Sequence, residues 1–270
     1  MQPVAETTVG PIIRKREWKR AWRALQTLIA DAERTDQVFE IVRALSGNSF
    51  ERAYQRFAAT PEGRQLLAER PSLLSTLSDR EALLALPEGS LGRAYAEFMD
   101  AGKLDAAGLV EAEQMAEQNF AKEGPLDPDR EFFGDRLRDM HDLWHVLTGY
   151  GRDEAGEATN LAFTLGQVWN PGIAFIVVAG ALLGPKEPTC YWQRYLFSAY
   201  RRGRKASLLT TTAYERLLPM PLADVRRQLG IRPASETHPG GILFGNRGED
   251  PRVIGGEESS NWQMTRRDAA

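Results

Sequence analysis

The chain is poor in the residues that most often build cross-links and metal sites: it has one cysteine and three histidines in 270 residues. With Cys190 alone, no internal disulfide can close and no thiolate cluster can hold zinc. Any metal site must therefore use His and carboxylate ligands. Excess charge is also missing: 34 Lys and Arg stand against 37 Asp and Glu, a net charge of -3. A dedicated nucleic-acid binder carries a basic surplus, so nucleic acid is not an expected partner. Long apolar runs are absent too. The most apolar stretch, Ile173 to Leu183, falls short of the ~20 residues that span a bilayer and reads as a buried core helix. Met1 to Val9 is polar, and Arg14-Lys15-Arg16 leads into a helix pattern rather than an apolar segment, so no secretory signal is expected. A single cysteine and no leader point to a cytoplasmic location. Finally, no alternating run bounded by turns reads as a strand.

What the chain does have is helical punctuation, and the expected fold class is all-α. Trp18, Trp22, Leu25, Leu28 and Ile29 recur at helical spacing, and Val38, Ile41, Val42 and Leu45 continue it up to Gly47-Asn48. Thr60-Pro61 is a cap with proline at the first helical position. Ser78 and Glu81 make a capping box. Ser90 caps a helix with Leu91, Ala94, Tyr95 and Phe98, and Asp105 begins another. Asp127-Pro128 opens a helix that Gly149-Tyr150-Gly151 stops. Asp153 caps the next, which ends near Asn170. Further helices fit 173–183, 190–203, 207–218 and 222–229. Three regions are expected: N-terminal helices over 1–48, a helical domain over 49–235 with a metal site and an apolar lipid cavity, and a loose, Gly- and Pro-rich extension over 236–270.

Two of the three histidines fall together, in His141-Asp142-Leu143-Trp144-His145. Four residues apart on a helix, His141 and His145 share a face about one turn apart, so both imidazoles can reach one ion. Asp142 can flank that ion or steer a ligand. Glu157 follows His145 after eleven residues that include the turn. In an antiparallel hairpin it would face His145 at similar depth. Two histidines with carboxylates suit Zn2+, or another divalent first-row metal. Zinc proteases also carry two His at this spacing, but with Glu beside the first, where this chain has Asp142. Arg138 precedes Asp142 by one turn. It either pairs with Asp142 on the helix surface or presents a guanidinium fork to a substrate carboxylate beside the metal.

The string Arg138-Asp139-Met140-His141-Asp142-Leu143-Trp144-His145-Val146-Leu147-Thr148-Gly149-Tyr150 resembles the signature of the coenzyme Q biosynthesis protein four family. That family carries His-Asp-x-x-His, eleven residues, then Glu, matched here at His141, Asp142, His145 and Glu157. Leu86 to Tyr95, Pro61-Glu62-Gly63-Arg64 with Arg70-Pro71, and Leu222 to Ile231 resemble further family segments in the same order. The resemblance covers about 50–235 and leaves out the N-terminal helix and the tail. It implies an all-helical fold, a zinc-type site, a cavity for a polyprenyl chain and a role in ubiquinone biosynthesis. The implied reaction removes the carboxyl at ring carbon one of a polyprenylated 4-hydroxybenzoate, with hydroxylation of that carbon in some accounts. The alternative is a non-catalytic lipid-binding scaffold that organises the other ubiquinone biosynthesis enzymes. A metal-dependent hydrolase is a third reading. Partners would be those enzymes and the membrane, and a homodimer is left open.

A polyprenyl substrate lives in lipid, so the protein is expected to sit peripherally on the inner membrane. The helix from Cys190 to Lys205 is the first candidate surface. It offers Trp192 and Tyr195 as interfacial aromatics and Arg201, Arg202 and Arg204 as cations for anionic headgroups. The same pattern also fits an ordinary amphipathic helix whose basic end complements its dipole. Arg14 to Arg23, with Trp18 and Trp22, is the second candidate.

Overall fold

The computed structural model describes residues 11, 13–31, 34–102, 108–118, 127–152, 154–183, 189–237, 240–244, 252–256 and 265–266. The caps read at Asp105 and Asp153 lie outside these residues. The helices are α1 (Trp18–Ala30), α2 (Thr35–Leu45), α3 (Ser49–Ala58), α4 (Pro61–Glu69), α5 (Leu73–Ser78), α6 (Arg80–Leu84), α7 (Leu91–Ala101) and α8 (Gly108–Gln118). They continue with α9 (Pro128–Thr148), α10 (Glu154–Gln167), α11 (Pro171–Leu183), α12 (Thr189–Lys205), α13 (Tyr214–Leu217), α14 (Leu222–Leu229) and α15 (Ala234–Thr237). The result is an all-α domain. After it come three short strands, β1 (Gly240–Phe244), β2 (Arg252–Gly256) and β3 (Thr265–Arg266), paired antiparallel in the order β1-β2-β3. No strand signal is legible there because the apolar runs, Ile242-Leu243-Phe244 and Val253-Ile254, are short and do not alternate.

The caps explain most boundaries. The Thr60 hydroxyl accepts from Gly63 N–H at 2.9 Å ahead of Pro61, and Ser90 Oγ accepts from Arg93 N–H at 3.4 Å. The capping box read at Ser78 is corrected: Ser78 ends α5, and Asp79 caps α6 by accepting from Ala82 N–H. The helix expected over 207–218 is broken into a 3-10 turn (Leu209–Thr211) and α13. The three consecutive threonines, 210–212, disfavour a continuous helix there, and the Thr212 carbonyl is drawn to Arg136 instead.

The main core gathers around α9. Met140, Leu143, Trp144 and Leu147 are buried against Tyr95 and Phe98 of α7, Phe163 of α10 and Tyr195, Leu196 and Ala199 of α12. Each such side chain contributes roughly 1.5–3 kcal/mol when fully buried. The indole N–H of Trp144 donates to the Tyr214 hydroxyl at 2.9 Å, which satisfies these two polar groups inside the core. Helices α10 and α12 touch backbone to backbone. A Cβ on Gly203 would stand 2.1 Å from the Phe163 carbonyl oxygen, and one on Gly166 would stand 2.4 Å from that of Tyr200. A second cluster joins α1, α2 and α11 through Ala21, Leu25, Ile41, Leu45 and Ile176.

The reading of Ile173 to Leu183 as a wholly buried helix is corrected. Ile173 and Ile176 face inward, whereas Val178, Leu182 and Leu183 are exposed. No helix among the described residues is long and apolar enough to cross a membrane.

Among the buried charges, Arg136 is the deepest arginine of the described residues. Arg136 of α9 is 2% exposed and donates to Glu215 at 2.7 Å and to the Thr212 carbonyl at 3.1 Å. Removing one partner strands the other in a medium that solvates it poorly. Glu215→Ala is therefore expected to destabilise the fold by about 3–5 kcal/mol, read as a lowered urea midpoint. A loss below about 1 kcal/mol would mean that water reaches the guanidinium.

Candidate metal centre

The centre is built on α9 and α10. Asp127 caps α9 by accepting from the N–H groups of Asp129 and Arg130 at 3.1 and 3.2 Å, with Pro128 in the first turn. Gly149 ends it in the left-handed conformation at φ 73°, where glycine carries no steric penalty. The chain then turns back into α10. This hairpin sets His141 and His145 on one face of α9 against Glu157 of α10.

Three donor atoms converge. His141 Nε2 and His145 Nε2 stand 3.2 Å apart, and Glu157 Oε2 lies 3.4 Å from the first and 3.3 Å from the second. Ligands at ~2.0–2.1 Å from one ion stand ~3.3 Å apart in a tetrahedron and ~2.9 Å apart in an octahedron. The donor set and its spacing therefore fit a tetrahedral ion, with three corners supplied by protein.

The inner histidine is fixed. His145 Nδ1 is 3.1 Å from the carbonyl oxygen of Tyr150. A carbonyl only accepts, so Nδ1 carries the proton and Nε2 keeps its lone pair for the ion. The His145 ring also stacks on Phe98, with centroids 5.7 Å apart and planes at 23°. Exposure rises outward: the His145 side chain is 0% exposed, His141 24% and Glu157 41%. Among the described residues no fourth donor joins these three, and the group is most exposed on its Glu157 side.

The electrostatics favour a cation. Burial works against a charged His141, but the hydrogen bond and charge of Glu157, with the charge of Asp142, outweigh it and hold its pKa above the ordinary histidine value. Burial would likewise raise Glu157. The charge at His145, the hydrogen bonds from both imidazoles and the charge at His141 hold it far below the usual carboxylate range instead.

The other expected site residues are placed differently. Asp142 is buried and its charge acts on His141, but it is not among the three residues whose donor atoms converge. Arg138 forms no pair with Asp142. Its guanidinium meets Glu113 at 2.7 Å and Asp135 and Asp139 at 2.9 Å, and the side chain is 8% exposed. Surrounded by three carboxylates, it has little left for the predicted substrate fork. The membrane-facing reading of α12 is also corrected. Trp192 and Tyr195 belong to the main core, and Arg202 lies over the rings of Tyr150 and Tyr195 at 5.1 and 5.7 Å. Of the proposed cations, Arg201 and Arg204 are exposed. The aromatic stripe faces inward because the glycine contact of Gly166 and Gly203 seats α12 on α10.

The second candidate surface is the exposed one. Trp18 and Trp22 are 56% and 54% exposed. Both rest on Phe175 of α11, with ring centroids 6.0 and 6.4 Å away. Val178 and Leu182 extend this apolar strip along α11, and Lys15, Arg16, Lys19 and Arg23 are exposed at its α1 end. Sequence reasoning missed two further groups at the centre, Phe98 and Arg152. Phe98 gives no signal, since an aromatic at helical spacing reads as core. Arg152 gives one, a cation in the turn between two ligand-bearing helices.

The family model described as coenzyme Q (ubiquinone) biosynthesis protein Coq4 matches residues 19–235. The match takes in most of α1 and all of α2, which the resemblance read from motifs left out. The chain is similar to the mitochondrial ubiquinone biosynthesis protein COQ4 homologues of Rattus norvegicus and Homo sapiens. It is 33% identical to the first over 178 residues, which cover 64% of this chain and 62% of the rat protein. It is 31% identical to the second over 176 residues, covering 63% and 61%. The crystal structure of a putative ubiquinone biosynthesis protein from Nostoc punctiforme has the same fold, with a TM-score of 0.56, 23% identity and coverage of 80% of this chain and 99% of the other. The chain therefore belongs to the coenzyme Q (ubiquinone) biosynthesis protein Coq4 family.

Proposed function

We propose that the protein acts in ubiquinone biosynthesis as a metal-dependent decarboxylase, removing the carboxyl at ring carbon one of a polyprenylated 4-hydroxybenzoate. The observation that carries this reading is the three-donor group of His141, His145 and Glu157, which no fourth donor among the described residues completes. A structural zinc site is closed by four protein ligands, whereas a catalytic one keeps a position for substrate or water. That difference favours an enzyme over a lipid-binding scaffold.

A bound divalent ion, zinc by the donor spacing, would supply Lewis acidity toward a carboxylate or phenolate oxygen. The residues do the rest. His145, held by Tyr150 and Phe98, would hold the ion from the buried side, and Glu157 would lower the net charge of the loaded centre. In the reaction the bond between ring and carboxyl breaks and carbon dioxide leaves. The electron pair left on the ring carbon then takes a proton. The oxidative version would place a hydroxyl there instead and needs dioxygen as co-reactant, because zinc has no redox chemistry.

The substrate's tail keeps it in lipid, so the protein is read as peripheral on a membrane, with the strip of Trp18, Trp22, Phe175, Val178 and Leu182 as its contact. Residues 49–235 are taken as the unit that carries the chemistry, and the other enzymes of the route as its partners. The deciding experiment is metal analysis of the pure protein combined with turnover of a prenylated 4-hydroxybenzoate. Carbon dioxide release that tracks metal occupancy is expected. A fully metallated, lipid-binding protein with no turnover would overturn the enzyme reading in favour of the scaffold.

A further inference from the structure

Arg152 sits in the turn between α9 and α10, and the proposed function has no use for it so far. Its guanidinium carbon stands 4.9 Å from the centre of the Phe98 ring, the same ring that stacks on His145. The side chain is half-buried. Its Nε is buried without a hydrogen-bond partner, a costly state for a charged donor. Arg136 also has an unpartnered Nε, but its terminal nitrogens and those of Arg138 are paired with carboxylates, whereas no carboxylate of the described residues bonds to Arg152. Asp142 and Glu157 lie close enough to act on Arg152 through their charge, yet neither bonds to it.

The main chain is shaped to admit this guanidinium. Gly102, which ends α7, has φ -91° and ψ -6°, a conformation open to any residue. A Cβ built there would stand 0.9 Å from Arg152 Nη1. Glycine at this position therefore serves space rather than backbone freedom.

We infer that Arg152 is the anion anchor of the metal centre: it holds the carboxylate of an aromatic acid whose polar end lies against the ion, with Phe98 as the wall between them. This deepens the metal reading above and rests on it. The planar fork offers two parallel N–H donors that match a carboxylate, while its face stays on Phe98. A guanidinium fork also distinguishes substrate from product, because loss of carbon dioxide removes the group it grips.

The test uses full-length, metal-loaded protein and two probes, benzoate and phenol, which differ in the carboxylate. Binding is read by calorimetry and by the visible spectrum of the cobalt-substituted form. Wild type is expected to prefer benzoate, and Arg152→Gln to weaken benzoate about tenfold or more while leaving phenol and metal content unchanged. Arg152→Lys should fall between, having charge without a fork. Gly102→Ala should weaken benzoate like Arg152→Gln, because it displaces the guanidinium without deleting its charge, and its melting temperature should stay near wild type. The anchor is overturned if wild type does not bind benzoate, if Arg152→Gln stays within twofold of it, or if phenol binding falls equally. Turnover separates this from the enzyme reading. Carboxylate preference without turnover of a prenylated hydroxybenzoate keeps the anchor and sinks the decarboxylase. Turnover with an unchanged KM in Arg152→Gln does the reverse.

Discussion

His145→Ala, His141→Ala or Glu157→Ala is expected to cost the protein its stoichiometric metal, with affinity falling by at least about a hundredfold, and its turnover with it. Each removes one of the three donors that stand 3.2–3.4 Å apart. The fold should survive in the His141 and Glu157 variants, because those side chains are partly exposed and α9 is held by the core around Trp144 and Leu143. His145→Ala also leaves a void beside Phe98 and should lower the melting temperature as well. Asp142→Asn is expected to retain metal, since the Asp142 carboxylate is outside the donor group. Loss of metal in that variant would make Asp142 the fourth ligand. Acid should release the ion, because protons compete for the imidazoles. The pKa of His141 is raised in the metal-free protein, so affinity should begin to fall at a higher pH than an ordinary histidine would give. Metal analysis after dialysis at stepped pH checks all of this. Full occupancy in His141→Ala or Glu157→Ala would remove the centre from consideration.

The second large effect concerns lipid. Lys19→Glu with Arg23→Glu reverses two exposed charges beside Trp18 and Trp22. A basic residue near an anionic surface is worth roughly 1 kcal/mol, so reversing two should weaken binding to phosphatidylserine vesicles by well over tenfold. Trp18→Ala with Trp22→Ala should weaken it further and also toward neutral vesicles, because the indoles supply the interfacial contact. Both rings are more than half exposed, so the fold loses little. Arg201→Glu with Arg204→Glu serves as the control, because those cations stand on a helix whose aromatic side is core. Flotation reads the outcome. If the control pair releases the protein and the α1 pair does not, the contact belongs to α12.

Much of the fold was legible because caps are local. Thr60, Ser90, Asp127 and Gly149 mark helix ends through groups within a few residues of themselves, and the structure places the ends there. The convergence of His141, His145 and Glu157 was legible for a similar reason: i, i+4 spacing and one turn determine a hairpin; Asp142, read as a fourth member, falls outside the group. Partnerships made across the fold were not. Arg138 had Asp142 at the right helical distance, but α8 brought Glu113, and a neighbouring turn of α9 brought Asp135. On α12, an aromatic stripe with a basic end is written identically for a core helix and for a membrane helix. The choice was made by Gly166 on α10, thirty-seven positions before Gly203. Residues 173–183 looked uniformly apolar, which hid the fact that Val178, Leu182 and Leu183 are exposed.

The partner of His145 Nδ1 is a main-chain oxygen five positions along, not a side chain. No codon change at position 150 can delete it. The histidine's orientation is therefore robust to substitution but fragile to any change in chain length between the two positions. In descendants of this gene, insertions and deletions should be purged from 146–149 even where the residues themselves drift. The constraint on His145 is thus a spacing rule in the reading frame.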